Sequence, residues 1–480
     1  MRHMSQCALL LAAVLLLAVP AVQAATVTIV NMDGAGEGFN DTSTPTTAME
    51  CPVGMTLGQC RLHCAQQAAQ VWADHLESTV EVRVWAYFDP MSCGVLGSSQ
   101  QLSPSANFPG APVADTWYQR PLADALSGTD RDPGAADILI HYNSDYDNGV
   151  CTGGPWYYGV DANPGLTGAL LFYPVILHEM THGFGFASFI NKDTGAWYGG
   201  LPDAYGRFIS DASTGLRWTE MTNAQRYTSI RNDGGLVTDG ANTKVEADAF
   251  LTGYNVNLVV NAGAAAGTYP GYGALFGAGW GNTDGVTLDM EIVNDGTGTS
   301  TTDGCEPLVG FTPGRIAFID RGDCEFGVKS LNAEQAGASG VVIADNQVST
   351  LPFNMGPGVV GRQVTIPAMY ITQADATTIR TTLPQSSTYQ VVDVRGMHAN
   401  GYPLLYAPTT MEPGSSVSHF DITAGPNALM EPVINDDLWD YLDMTPGLFR
   451  DEGWTLAASD VVFGDDFETG TTDAWSIVVP

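Results

Sequence analysis

The chain of 480 residues carries 52 acidic side chains against 18 basic ones, a formal charge of −34. A field of that sign repels phosphate backbones and anionic headgroups, so it excludes nucleic acid and acidic membrane surfaces as partners. The length suits two or three domains.

Met1-Arg2-His3 precedes an apolar run from Cys7 to Val19, broken by Pro20 and followed by Val22-Gln23-Ala24. This reads as a secretory signal peptide, residues 1–24, cut after Ala24. The run is too short to span a bilayer, and no other stretch reaches spanning length. A secreted, bacterial protein is expected, monomeric and without membrane insertion once the signal is removed.

Seven cysteines follow the signal: Cys51, Cys60, Cys64, Cys93, Cys151, Cys305 and Cys324. Export predicts pairing, with Cys305–Cys324 and Cys93–Cys151 as the natural local pairs. Cys51, Cys60 and Cys64 then share one disulfide and leave one thiol. That thiol is either a buried free cysteine or a thiolate that blocks a metal in a latent form.

Thr26 to Val30 is β-branched and predicts a strand. Leu57 to Leu76 predicts a helix with Leu62, Ala65, Ala69, Val71, Trp72 and Leu76 as its apolar stripe. Val80 to Phe88 alternates as a strand should, and Ala136 to Tyr142 is a second strand. Leu166 to Ala187 is long and apolar. Pro174 sets the start of its helix near Tyr173, and Gly183 and Gly185 mark the end. Residues 256–300 turn rich in Gly, Ala, Asn and Thr. From Gly314 to Asp345 the pattern is strand, helix, strand, a βαβ unit with its own small core.

The helix after Tyr173 carries His178-Glu179-Met180-Thr181-His182. Residues four apart share a helix face, so both imidazoles can reach one cation, with Glu179 placed to take a proton from water at the metal. A catalytic zinc needs three protein ligands. In the extended form of the motif the third His follows Gly185, but Ser188 stands there. The missing ligand must come from elsewhere. His63, His75 and His141 read as surface, packing or structural residues. His398 and His419 both lie beyond the Gly-rich region. His419 ends a Ser/Gly turn, Gly414 to His419, and precedes Asn427-Ala428-Leu429-Met430-Glu431-Pro432.

His-Glu-x-x-His-Gly-x-Gly-Phe, a distant Ser-His-Phe-Asp and an Asn-x-Leu-Met-x-Pro turn together resemble the leishmanolysin-like metzincins. Leu448 to Trp454 is similar to that family's closing helix. The resemblance covers residues 136–190 and 401–455. It implies a zinc endopeptidase acting on protein or peptide substrates, with one catalytic Zn2+ on His178, His182 and His419. Glu179 would be the general base and Met430 would lie beneath the metal. His398 is the alternative third ligand, and Tyr441 a candidate assistant. His182 and His419 are 237 positions apart, more than the family's spacing. Most of that gap resembles a protease-associated (PA) domain, from Cys305-Glu306-Pro307-Leu308 through Gly314 to Asn346, with Cys305–Cys324 as its usual disulfide.

The expected fold class is α+β: a metzincin-like catalytic domain, a twisted mixed sheet plus the active-site helix, split by an inserted α/β PA domain. The expected parts are 25–254, the insert 255–395, the second catalytic part 396–457 and a tail 458–480. Calcium is not assigned, because no Asp-x-Asp-x-Asp-Gly loop with a terminal Glu is present. Two other readings stand beside the peptidase. One is an inactive exported adhesion protein using the PA domain for recognition, which an intact Glu179 opposes. The other is a zinc site completed by a downstream Glu, for which only Glu220 and Glu246 offer themselves.

Overall fold

The computed structural model describes residues 23–160, 169–280, 283–348, 354–435, 438 and 441–457. The expected signal peptide, apart from its last two residues, and the tail 458–480 lie outside the described residues.

Strand β1 (Val27–Asn31) is followed by helix α1 (Leu57–His75) and strand β2 (Val82–Asp89). Thr56 starts α1: its hydroxyl accepts from Gln59 N–H, while the Gln59 side chain accepts from Thr56 N–H. This capping box satisfies two amides that the helix itself cannot. The buried face of α1 is rotated from the expected stripe. Cys64, Ala65, Ala68, Ala69 and Trp72 are fully or almost fully buried, whereas Leu62 and Val71 are only half-buried. Small side chains on that face allow close helix packing.

Next come β3 (Gly97–Gln101), α2 (Arg120–Ser127), β4 (Ile138–Asn143) and α3 (Phe172–Phe184). The sheet order is β1-β2-β4-β3. The first three strands run parallel, and β3 closes the edge antiparallel, with Gly97 opposite Tyr142. In β2 the apolar alternation is obeyed: Val82, Val84, Ala86 and Phe88 are buried. Helices α1 and α3 pack together, joined by Trp72 Nε1 donating to the Leu177 carbonyl at 3.3 Å. Pro174 falls in the first turn of α3, where it takes no helical bond away. His141 lies inside β4, stacked on Tyr87 and bonded to Asp89 at 2.7 Å.

Past α4 (Ala241–Phe250) the chain enters a closed seven-stranded barrel. Its strands are β5 (Tyr254–Val260), β6 (Gly267–Gly273), β7 (Thr287–Ile292), β8 (Ile316–Asp320), β9 (Gly340–Ala344), β10 (Ala368–Ile371) and β11 (Gln385–Val394). Their order is β5-β6-β10-β9-β8-β7-β11. Helix α5 (Phe326–Gln335) links β8 and β9, which pair in parallel as the βαβ pattern requires. The other strands make this a mixed closed barrel rather than an open α/β layer. Two apolar clusters lie on opposite faces of its strands, one including Val256, Leu258, Phe318 and Tyr389, the other including Ala317, Val341, Ile343 and Tyr370 together with Ala333 of α5.

After the barrel, helix α6 (Thr445–Glu452) packs on α4, and its Phe449 meets Trp72 of α1 and Phe184 of α3. Arg450 pairs with Glu246 on α4 at 2.5 Å. Trp454 Nε1 donates to the Phe184 carbonyl at the end of α3, at 3.1 Å. Disulfides join Cys51–Cys60, Cys93–Cys151 and Cys305–Cys324, and Cys64 is the free thiol. Among the described residues no helix is long and apolar enough to cross a membrane.

Candidate metal centre

His178 and His182 stand one turn apart on α3, as the motif spacing dictates. His419 arrives from the far end of the chain. Its strand-like segment is pinned by Tyr406 N–H donating to the His419 carbonyl, and by Phe420 N–H donating to the Met430 carbonyl at 2.8 Å. The three imidazoles converge. His178 Nε2 lies 3.1 Å from His419 Nε2 and 3.2 Å from His182 Nε2.

Each ring is held from behind. Nδ1 of His178 donates to the Leu429 carbonyl at 2.7 Å, that of His182 to Phe186 at 2.9 Å and that of His419 to Ser415 at 2.7 Å. A carbonyl can only accept, so the proton sits on Nδ1 in all three rings. Burial pushes the pKa of His178 down to about 4 and, with the neighbouring imidazole, that of His182 down to about 3. His419 is likewise held well below the ordinary imidazole range, by burial first and then by His182 and His178. Three neutral rings therefore point lone pairs at one another. Such facing lone pairs repel unless a cation stands between them. Two imidazole nitrogens sharing one tetrahedral zinc at about 2.0–2.1 Å would be about 3.3 Å apart, close to the separations seen. The donor set fits zinc.

Glu179 is 6% exposed, and burial raises its carboxyl to about 8. It lies against the edge strand: a Cβ built on Gly97 would stand 2.9 Å from its Cγ and Oε1. A cation at the adjacent imidazoles favours the ionised carboxylate by opposite charge. Farther along β3, Gln101 Nε2 donates to the His182 carbonyl at 2.8 Å, tying edge strand to helix.

Ser188 does not join the histidines. Its hydroxyl donates to Asp203 Oδ2 at 2.7 Å. The turn after α3 is fixed instead by Gln119, whose Nε2 donates to the carbonyls of Gly185 and Ala187 at 3.0 and 2.9 Å. His398 is turned into its own loop, its Nδ1 accepting from Asn400 N–H. Glu246 is engaged with Arg450, and Glu220 accepts from Arg217 N–H. Tyr441 donates to the Asn427 carbonyl at 3.4 Å and packs on Phe250. Cys64 is buried in the core, its thiol pushed up by burial, and it is not among the side chains gathered at the histidines. It is the buried free cysteine, not a metal-blocking thiolate.

Met430 is fully buried. Its turn is held by Asp443, whose Oδ2 accepts from Met430 N–H at 3.1 Å while Oδ1 accepts from Thr445 N–H at 2.7 Å. Since Leu429 of that turn orients His178, Asp443 acts on the centre at one remove. Gly97, Gln119 and Asp443 escaped sequence reasoning. The first two sit in polar, unpatterned segments. Asp443 could have been noticed as an acidic residue two before a Thr, the spacing of a side-chain-to-backbone turn.

A sequence profile described as PA domain matches residues 288–379. The chain therefore contains a PA domain, within the closed barrel. Signal peptide peptidase-like 2 of Arabidopsis thaliana is 33% identical over 85 residues, 18% of this chain and 16% of that protein. Aminopeptidase YwaD of Bacillus subtilis (strain 168) is 44% identical over 62 residues, 13% of each. An aminopeptidase of Pseudomonas aeruginosa (strain UCBPP-PA14) is 43% identical over 60 residues, 12% of this chain and 11% of that one. The chain thus spans about a sixth or less of the length of these curated relatives. Among solved structures, BSAP, a zinc aminopeptidase from Bacillus subtilis, is similar over 31% of this chain and 36% of that chain, at 21% identity and a TM-score of 0.21. An aminopeptidase from Aneurinibacillus sp. strain AM-1 is similar over 31% of this chain and 37% of that chain, at 19% identity and a TM-score of 0.20.

Proposed function

We propose that the chain is a secreted zinc-dependent endopeptidase of the metzincin type, whose catalytic domain is split by the PA domain. The observation that carries this reading is the convergence of three Nε2 atoms, from His178, His182 and His419, beside the buried carboxyl of Glu179. When bound, zinc would supply Lewis acidity, activating a water and polarising the scissile carbonyl. His178, His182 and His419 would hold the ion, and their Nδ1–carbonyl bonds would fix ring orientation and tautomer. Glu179 would accept the proton of the attacking water and deliver it to the leaving amine. Placing the catalytic parts at 25–254 and 396–457 follows from that ligand set, with 255–395 as the insert. Three disulfides agree with an oxidising compartment outside the cytosol. Substrates are proteins or peptides.

Casein hydrolysis by purified Glu179→Ala tests the assignment. The variant is expected to keep its zinc and to lose activity by about a thousandfold or more, the scale of a lost general base. Full activity would refute the proposed role of Glu179.

A further inference from the structure

We propose that the loop between β7 and β8 binds a calcium ion through Asp295, Asp303 and Glu306, on the flank of the PA barrel and apart from the histidine centre. One potential ligand atom of each lies within 4.8 Å of the others. Asp295 is 3% exposed, and neither of its carboxylate oxygens has a hydrogen-bond partner. Oε2 of Glu306 is likewise buried and unpartnered. A buried carboxylate without a donor is among the most costly groups a fold can carry, and it calls for a proton or a cation. Asp303, also 3% exposed, commits Oδ1 to Cys305 N–H at 3.1 Å and keeps its other oxygen.

The local charge balance names the cation's valence. Lys329 is fully buried nearby, but its ammonium donates to the Asp303 carbonyl at 2.6 Å and to Cys305 Sγ at 3.3 Å, not to the three carboxylates. Asp323 and Asp320 also face Lys329, Asp320 being paired with Arg380, so the carboxylates outnumber the cations here by more than one and favour a divalent ion over a monovalent one. The donor set names the element. All available ligands are oxygens, and the nearby sulfurs of Cys305 and Cys324 are locked in a disulfide. Hard oxygen donors in an irregular loop suit calcium, which tolerates variable geometry, better than magnesium or zinc. Gly298, at φ +93°, lets the loop pass beneath Glu306; a Cβ there would stand 2.9 Å from Oε2. The three carboxylates lie in a twelve-residue run, Asp295 to Glu306, without the intervening Asp residues of a calcium motif. The fold, not the motif, assembles them. Bound calcium would tie this loop to the Cys305–Cys324 disulfide and the buried Lys329 of α5.

Titration calorimetry of the full-length, zinc-loaded protein with CaCl2, after calcium depletion, tests the site. Wild type is expected to bind one calcium per chain, with MgCl2 competing weakly. Glu306→Gln, a half-buried change that leaves the fold alone, is expected to weaken calcium binding at least tenfold, and Asp295→Asn more. Without calcium, Asp295→Asn should melt no lower than wild type, because it removes an unpaired buried charge. It should also lose the calcium-induced rise in melting temperature. Absence of a saturable calcium isotherm in wild type, or unchanged affinity in Glu306→Gln, would overturn the proposal. Zinc content in both variants should match wild type, which separates this test from the fate of the histidine centre.

Discussion

At the scale of single residues, the centre depends on groups that never touch the metal position. Gly97 is one. Its missing side chain leaves room for Glu179, and a Cβ would come within 2.9 Å of the carboxylate. Gly97→Ala is expected to lower kcat tenfold or more, the cost of displacing a catalytic group by about 1 Å. Zinc content should stay unchanged; unaltered kcat in a steady-state assay would contradict the placement. Asp124 is a residue whose influence is on stability. It is 2% exposed, and burial, then Asp137, raises its pKa to about 6 against the opposing pull of the Arg131 backbone N–H. Because the folded value exceeds the unfolded one, the fold is favoured by the protonated form. That benefit is complete below about pH 4 and is lost as pH rises through 6. Asp124→Asn should therefore stabilise the protein at pH 7.5 by about 2 kcal/mol and have little effect at pH 4. Calorimetric melts at the two pH values give the comparison, and equal shifts would rule out the titration account.

At the scale of elements, the helix and the turn beneath it position the ligands by different means. Helix α3 brings two ligands by spacing alone. The turn that orients His178 through Leu429, and that bonds to Phe420 beside the third ligand His419, leans on one carboxylate, Asp443, at a φ of +47°. Asp443→Ala removes acceptors from buried N–H groups and should cost about 2–3 kcal/mol of stability. It should also weaken zinc by about tenfold, the usual effect of a lost outer-shell partner. Competition with a chelator reads the second effect, and wild-type affinity would contradict it. The elements legible in the sequence are those with an apolar period: β1, α1, β2, β4, α3 and the β8–α5–β9 unit. Strand β3, Gly-Ser-Ser-Gln-Gln, has no such period. It is held as a sheet edge by backbone pairing, with side chains only half-buried or exposed. Strands β5 and β7 do carry an apolar period, Val256, Leu258 and Val260 in one and Leu288, Met290 and Ile292 in the other, masked because residues 256–300 as a whole are rich in Gly, Ala, Asn and Thr; β6, Gly-Thr-Tyr-Pro-Gly-Tyr-Gly, has none. His419 was legible because Ser/Gly turn chemistry and a Met-bearing turn surround it. Gly97 was not, because its role exists only across the sheet edge.

At the scale of the whole molecule, the centre is built from both ends of a chain interrupted by a barrel. The interruption is structurally neat: Tyr254 pairs with Val394, and Arg395 N–H donates to the Gly253 carbonyl at 2.9 Å. Replacing 254–394 by a short Gly-Ser linker should therefore leave a folded protein that still binds zinc, since the ends need not move apart. Circular dichroism with zinc analysis tests this, and an unfolded, metal-free product would show that the barrel is required for the catalytic parts to fold. The closing segment makes the same point from the other side. Trp454 and Leu456 bond to α3 and to Leu76, so the last described residues lock onto the ends of α3 and α1. The central claim is that His419 completes a zinc centre begun by His178 and His182. The zinc stoichiometry of purified His419→Ala, set beside His398→Ala, tests it most directly. The account predicts zinc lost from His419→Ala and one zinc per chain in His398→Ala. One tightly held zinc in His419→Ala would contradict it.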